Sequence, residues 1–235
     1  MKIRELLNEG GNIWHGNLAT VRIPKDLVAP TVAFLEQITG LPLMNNMLGS
    51  TGIKSDSSDI DLAVDASQTS KEELVAKLKA WADQNDDSAQ VKKKGVSVHF
   101  RCPIAGKPFL NAVQVDFMFV NNMKFTRWIY RPAEESKFKN AARTILIASI
   151  AKTFGLRFSS EKGLTDRKTD KPLTKGMNPD WIAYMLLGKK ATRKDLASVE
   201  SILNALKNDP KRDEKLADAR KTLPMRGLVP LEVMQ

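Results

Sequence analysis

The segment from Leu48 to Asp65 constrains the fold of this chain most, because a Gly-Ser pair lies a short loop ahead of two carboxylates. Asp59 and Asp61 are spaced i, i+2, so in a β-strand both side chains point to one face. The apolar residues between and after them then point to the opposite face, toward a core. The pattern predicts a strand with one buried face and two carboxylates on the other.

A second apolar run, Asn111 to Val120, carries a single acid, Asp116. If this strand pairs beside the first, three carboxylates converge. Asp59 and Asp61 repel each other unless a positive charge lies between them, and a hard divalent cation with oxygen ligands best removes that repulsion. The Asp-x-Asp pair alone is typical of a solvated turn, but together with the preceding Gly-Ser pair and Asp116 in a hydrophobic strand it predicts a metal site for Mg²⁺ or Mn²⁺.

Gly49 and Ser50 follow an apolar run, Leu43 to Leu48, which predicts the first core strand. A Gly-Ser turn lets backbone N–H groups approach an anion closely, and a helix starting there would add its positive end. An ordinary turn is the alternative for this pair alone. Ahead of the acidic strand, the pair indicates a phosphate cradle.

These residues resemble the signature of the nucleotidyltransferase superfamily typified by DNA polymerase beta, poly(A) polymerases, CCA-adding enzymes and the small antibiotic-modifying adenylyltransferases. The signature is an apolar residue, Gly and then Gly or Ser, a spacer, Asp-x-Asp or Asp-x-Glu, and a third Asp on a later strand. Here Leu48-Gly49-Ser50 precedes Asp59-Ile60-Asp61-Leu62 by eight residues, and Asp116 follows. The match covers about the first half of the chain.

The resemblance implies an α+β fold with a mixed-sheet, palm-like core, and two-metal transfer of a nucleoside monophosphate from an NTP such as ATP to an acceptor hydroxyl. It implies that Asp59 and Asp61 hold both metal ions and that Asp116 completes the one that activates the acceptor. Gly49 and Ser50 would seat the triphosphate. The residues by themselves imply only a carboxylate–metal site.

Three cations are further candidates for phosphate binding. Lys54 lies in the loop after the Gly-Ser pair, and Arg143 and Lys152 lie on a predicted helix in the second half. They are candidates because members of the family usually need a cation that reaches the nucleotide from a helical domain.

Charge is distributed unevenly along the chain. Residues 1–120 carry 13 Lys and Arg against 14 Asp and Glu, a net charge of −1, whereas residues 121–235 carry 24 against 13, a net charge of +11. We therefore predict a nucleotidyltransferase core over residues 1–120 and a basic helical substrate-binding or nucleotide-binding region over 121–235. The excess positive charge favours an RNA or other nucleic-acid partner; a solvated lysine-rich helix surface is the alternative.

Composition predicts a soluble, cytoplasmic protein. The chain is 42% hydrophobic but has no run approaching the roughly 18 apolar residues of a membrane span. Its start, MKIRELLNEGG, has no apolar segment typical of a secretory signal. Cys102 is the only cysteine, which excludes an intrachain disulfide and fits a reducing compartment; we expect it in the core.

Local patterns predict the remaining elements. The predicted helices cover residues 31–39, a segment after Asp65 that begins with a Ser or Thr cap, 138–154, a segment opened by 178–180, 193–206, and a shorter segment from 213. Residues 85–94 and 158–180 are predicted as a polar loop and as a hairpin or flexible loop, and the tail after 224 as extended.

Residues 96–100 are predicted as a strand that returns to the Asp116 strand as a hairpin, with Ser97, His99 and Arg101 on one face. Whether Asp116 shares that face depends on strand register. Arg101 could then contact phosphate. His99 could support the site, although a lone strand histidine is more often a surface or packing residue. Trp14 lies in a predicted loop or edge strand.

Three functions remain open at this point. The basic second half favours a nucleic-acid acceptor such as a tRNA or another 3′ end. The modest length and the lack of a recognisable RNA-binding module favour a small-molecule or protein acceptor, as in antibiotic adenylyltransferases and toxin–antitoxin enzymes. A catalytically silent binding protein of the same fold is the third; silent members tend to lose an acid, and all three acids are present here.

Overall fold

The structure is a computed structural model that describes residues 13–108, 110–131, 133 and 135–235. The described residues form seven α-helices and three β-sheets, and the largest sheet combines parallel and antiparallel pairs. The predicted α+β class and mixed sheet are therefore confirmed. The chain divides into two compact units, Met1–Met123 and Lys124–Gln235, where the sequence predicts a division after residue 120.

Each unit contains both helices and strands. In chain order the elements are β1 (Ile23–Pro24), α1 (Lys25–Thr39), β2 (Asp56–Ser57), β3 (Asp59–Asp65), α2 (Lys71–Asn85), β4 (Gln90–Lys94), β5 (Ser97–Pro103), β6 (Ala112–Val120), α3 (Met123–Tyr130), α4 (Asn140–Thr153), β7 (Leu156–Ser159), β8 (Gly163–Asp166), α5 (Pro179–Leu187), α6 (Val199–Ala205) and α7 (Arg212–Met225).

The sheet of the first unit has the strand order β3-β6-β5-β4, with β3 parallel to β6 and the other pairs antiparallel. Ile60, Val115 and Phe100 lie side by side in register, and all three are fully buried. Their face of the sheet shares one hydrophobic core with α1 and α2. The alternation of apolar residues in β3 and β6 thus fixes which face remains for polar side chains.

The two helices of the first unit begin differently from each other. Ser70 caps α2 by accepting a hydrogen bond from the amide of Glu73, as the Ser/Thr cap predicts. Helix α1 begins at Lys25, before the predicted start at residue 31. The predicted helix started after Pro30. The observed helix includes this proline, and its first turn contains Val28, which is buried.

The strand predicted over residues 43–48 is wrong. Met44–Asn46 form a 3₁₀ turn, and Met47 makes only an isolated bridge to Leu62. The side chain of Glu36 accepts the amides of Leu43 and Met44 at 2.6 and 2.8 Å, so these amides are satisfied without a neighbouring strand.

The polar loop predicted over residues 85–94 is also wrong in its second part. Gln90–Lys94 forms β4, the edge strand beside β5. Only Val91 in this strand packs against the core, and the exposed lysines beside it are typical of a protected sheet edge.

The second unit surrounds α4 with helices and the antiparallel β7–β8 hairpin, which together bury one hydrophobic core. Helix α6 begins only at Val199, because Ser198 and Ser201 form a capping box there, so the helix predicted from residue 193 is shorter. Helix α7 is 14 residues long, not short. The predicted extended tail is wrong as well, since Leu231–Met234 forms a 3₁₀ turn that buries Met234. Among the described helices, none has the length and apolar character that crossing a membrane requires.

Candidate metal centre

Three carboxylates meet on the polar face of the first unit's sheet. The parallel pairing of β3 with β6 places Asp61 directly beside Asp116, and Asp59 lies two residues earlier on the same face. One carboxylate oxygen from each of the three residues lies within 4.8 Å of the other two. Oxygen ligands at this spacing suit Mg²⁺ or Mn²⁺.

The electrostatics of this cluster disfavour its charged form when no cation is bound. Burial, followed by the charges of Asp59 and Asp116, raises the pKa of Asp61 from 3.8 to about 7. Burial and the charge of Asp116 also raise the pKa of Asp59, while Ser58 and Arg22 partly offset that rise. A divalent cation among the three carboxylates would reverse the sign of their environment.

The Gly-Ser turn lies against Asp61. Leu48 donates its amide to the Asp61 carbonyl at 2.8 Å, and the Asp61 amide donates to Thr51 Oγ1 at 3.0 Å. Gly49 has φ +55°, and a Cβ at this position would lie 2.6 Å from Asp61 Oδ2. Glycine is favoured here by the positive φ, and any side chain would also crowd the carboxylate of Asp61.

The same turn has amides available for an anion. Among the described residues, no acceptor is bonded to the backbone N–H of Gly49 or Ser50. Lys54 is exposed at the end of the turn, where its amide donates to the Ser50 carbonyl. These three candidates lie within one short segment beside Asp61.

Two neighbours hold the carboxylate of Asp116. His99 lies directly opposite Asp116 in the β5–β6 pair, and its Nδ1 is 2.7 Å from Asp116 Oδ1. Gln114 donates from Nε2 to Asp116 Oδ2 at 3.1 Å. The polar face of the β5–β6 hairpin, which carries His99, is therefore the face that carries Asp116. Sequence reasoning considered His99 but missed Gln114, although its i−2 position on a strand places it beside Asp116.

Arg143 lies in the second unit, where its contacts make it part of the packing. Its side chain is almost fully buried and donates to the carbonyls of Leu196 and Trp128 and to Asn140 Oδ1, at 2.7–2.9 Å. Burial lowers the pKa of Arg143 to about 10, so it stays charged at neutral pH. These hydrogen bonds account for the guanidinium as a structural group and leave it a poor candidate for phosphate binding.

The other predicted phosphate cations also contact protein groups. Lys152 is on α4 and forms an ion pair with Asp218 of α7. Arg101 in the first unit donates to the carbonyls of Leu18 and Ser88, each at 3.0 Å. Of the cations predicted from sequence, Lys54 alone lies in the turn that contacts Asp61.

A scan against models of known protein families and a search of curated proteins found no match to this chain. What bears on its function is the geometry of its own residues.

Proposed function

We propose that this chain is a metal-dependent nucleotidyltransferase whose first unit has a polymerase-beta-like fold and transfers a nucleoside monophosphate from an NTP to an acceptor hydroxyl of nucleic acid. One observation carries the proposal. Asp61 pairs in register with Asp116 and is contacted from the other side by the Gly49 turn. The metal ligands and the phosphate cradle are therefore adjacent.

The residues fit a divalent cation. The donor set is made only of carboxylate oxygens, and the raised pKa values of Asp59 and Asp61 indicate an uncompensated negative charge. Cations bound there would lower the pKa of an attacking hydroxyl and neutralise charge on the leaving pyrophosphate. By the resemblance to the nucleotidyltransferase signature, Asp59 and Asp61 would hold both cations and Asp116 the one that activates the acceptor.

The nucleotide would bind at the turn through its phosphates. The amides of Gly49 and Ser50 can donate to phosphate oxygens, and Gly49 lets the backbone approach closely. The ammonium of Lys54 adds a point charge at the end of the same turn. No side-chain nucleophile is needed for in-line attack by the acceptor hydroxyl.

A basic loop in the second unit favours nucleic acid as the acceptor. Lys189, Lys190, Arg193 and Lys194 are all exposed, and within the described part of the chain none of them pairs with an acid. Other cations of this unit do have acidic partners, among them Lys152 with Asp218. This loop therefore has an uncompensated positive charge that suits a phosphate backbone.

The helix that precedes the loop carries an exposed aromatic ring. Tyr184 on α5 is 45% exposed, and its carbonyl accepts the amide of Gly188 where the loop begins. Further along, the amide of Arg193 donates to Asp180 Oδ1, one helical turn before Tyr184. The loop thus returns along the Tyr184 face of α5. An exposed ring on the helix that leads into a group of exposed cations suits the stacking of single-stranded bases.

The test of the reaction is incubation of the protein with each labelled NTP, Mg²⁺ or Mn²⁺, and total cellular RNA, followed by location of the label. Asp59→Asn and Asp61→Asn should each lose nearly all transfer activity, because a site that lacks one anionic ligand no longer holds two cations. Asp65→Asn, at the end of the same strand and outside the cluster, is the matched control. Turnover by Asp59→Asn or Asp61→Asn equal to that of wild type at saturating Mg²⁺ would contradict the two-metal assignment. Label found on a small molecule or a protein would show that the acceptor is not nucleic acid.

The test of the acceptor surface is salt dependence. Binding to single-stranded RNA should weaken with a log–log slope of roughly −0.7 per phosphate contact. Reversing the charge of Lys189, Lys190, Arg193 and Lys194 together should weaken binding and flatten that slope, with NTP affinity unchanged. Undetectable RNA and DNA binding at low salt would exclude a nucleic-acid acceptor.

A further inference from the structure

We propose that His99 and Gln114 are positioning residues that hold the Asp116 carboxylate in one orientation for metal binding, and that the backbone of Ile13 sets the orientation of Gln114. The inference rests on the proposed metal site. It concerns how that site is prepared before a cation arrives.

Each oxygen of Asp116 has its own hydrogen-bond donor. His99 Nδ1 contacts Oδ1 at 2.7 Å, and Gln114 Nε2 contacts Oδ2 at 3.1 Å. The proposal assigns His99 the tautomer with a proton on Nδ1, which donates to the Asp116 carboxylate. Two donors from adjacent positions of one sheet fix both the direction and the plane of the carboxylate.

The amide of Gln114 can take only one of its two orientations. Its Oε1 accepts the backbone N–H of Ile13 at 2.8 Å, so Nε2 has to face Asp116. Gln114 is fully buried, and Trp14, which follows Ile13, is 1% exposed. If the amide were rotated by 180°, its Oε1 would face the Asp116 carboxylate and its Nε2 would face the N–H of Ile13. Both contacts would be repulsive and shielded from solvent, so the rotated form is costly.

The arrangement leaves Asp116 able to bind a cation. A carboxylate oxygen has two lone pairs, and each oxygen of Asp116 uses one for its donor. The other two ligands are not held in this way. Asp59 accepts a hydrogen bond from Ser58, and none of the described residues donates to the carboxylate of Asp61. Asp116 is thus the ligand with a preset orientation.

Hydrogen bonds to metal ligands typically change metal affinity by about 10–100-fold when removed. We therefore expect Mn²⁺ titration of the full chain, without nucleotide and followed by electron paramagnetic resonance, to show weaker binding by about that factor in His99→Leu and in Gln114→Leu. His99→Gln, which keeps a donor, should recover part of the affinity. Ser97→Ala, on the same face of β5 but remote from Asp116 in register, should bind as wild type.

Thermal unfolding in chelator separates positioning from a purely structural role. The proposal requires weaker Mn²⁺ binding in variants that unfold near the wild-type temperature. Wild-type Mn²⁺ affinity in both leucine variants would overturn it and leave the proposed function intact. Failure of both to fold would also overturn it, by making the two side chains structural. Absence of Mn²⁺ binding by the wild-type chain would remove the proposed metal site itself, and the inference with it.

Discussion

Asp61→Asn should make the first unit more stable in metal-free buffer while removing its response to Mg²⁺. Burial and two neighbouring carboxylates raise the pKa of Asp61 from 3.8 to about 7, so the folded state binds this proton more tightly than the unfolded state does. The contribution of Asp61 to wild-type stability is therefore greatest below pH 4 and falls as the pH rises to about 7. Asparagine has nearly the same shape as aspartate and never ionises, so the variant should not lose stability through ionisation at this position as the pH rises.

The expected magnitude follows from the size of the shift. Each pKa unit corresponds to about 1.4 kcal/mol, so a shift of roughly three units sets an upper limit of about 4 kcal/mol at pH 8. The amide must itself lose some hydration at a buried site, which reduces the gain. We expect Asp61→Asn to exceed wild type by about 1–3 kcal/mol at pH 8, and by almost nothing at pH 4.

Urea unfolding at several pH values, in chelator and in excess Mg²⁺, measures both effects. A bound cation stabilises the wild-type chain by about 2.7 kcal/mol at a hundred times its dissociation constant, and the variant should gain much less. Asp65→Asn is the control. Hydrogen bonds from Ser67 lower the pKa of Asp65, so removing this charge should not raise the stability of the folded state. The reasoning fails if Asp61→Asn is less stable than wild type at pH 8 in chelator, or if their difference is the same at both ends of the pH range.

Three further variants test other parts of the structure. Gly49→Ala should cost more stability than Gly52→Ala in urea unfolding, because both have positive φ but only the methyl at Gly49 would meet Asp61, at 2.6 Å; equal costs would argue against that contact. Asp116→Ala should keep NTP–Mg²⁺ binding in calorimetry and lose transfer, whereas loss of both with a lowered melting temperature would indicate a structural acid. Arg143→Met should destabilise the second unit by about 2–4 kcal/mol through its lost buried hydrogen bonds and leave NTP affinity unchanged; weaker NTP binding would restore Arg143 as a phosphate ligand.

The features that sequence predicts well are those set by short-range periodicity. The alternation around Asp59 and Asp61 predicts one polar and one buried face of β3, and the structure has both. The Ser cap of α2 and the asparagine and proline that open α5 also predict their helices, because the signals lie within one turn.

The features that sequence misses depend on residues far apart in the chain. Glu36 reaches forward to Leu43 and Met44 and replaces a predicted strand with a turn, which no local propensity indicates. The hydrogen bond from His99 to Asp116 depends on strand register, and register is set by the whole buried face. Arg143 shows the same limit, because on a helix a buried arginine cannot be told from an exposed one until its packing is known.

The proposed metal site divides opposing requirements between neighbouring strands. On β3, the carboxylate of Asp61 has no donor among the described residues, and burial raises its pKa, so that its charge would be costly without a cation. On β6, Asp116 is satisfied on both oxygens and fixed in orientation. If all three acids were satisfied by protein donors, a cation would gain little by binding. If none of the three acids were held by protein donors, their side chains would have to become ordered when a cation binds, and this ordering would cost binding free energy. One ligand held by two donors, beside Asp59 with a single donor and Asp61 with none among the described residues, would give a site that favours a cation and already has part of the geometry it needs.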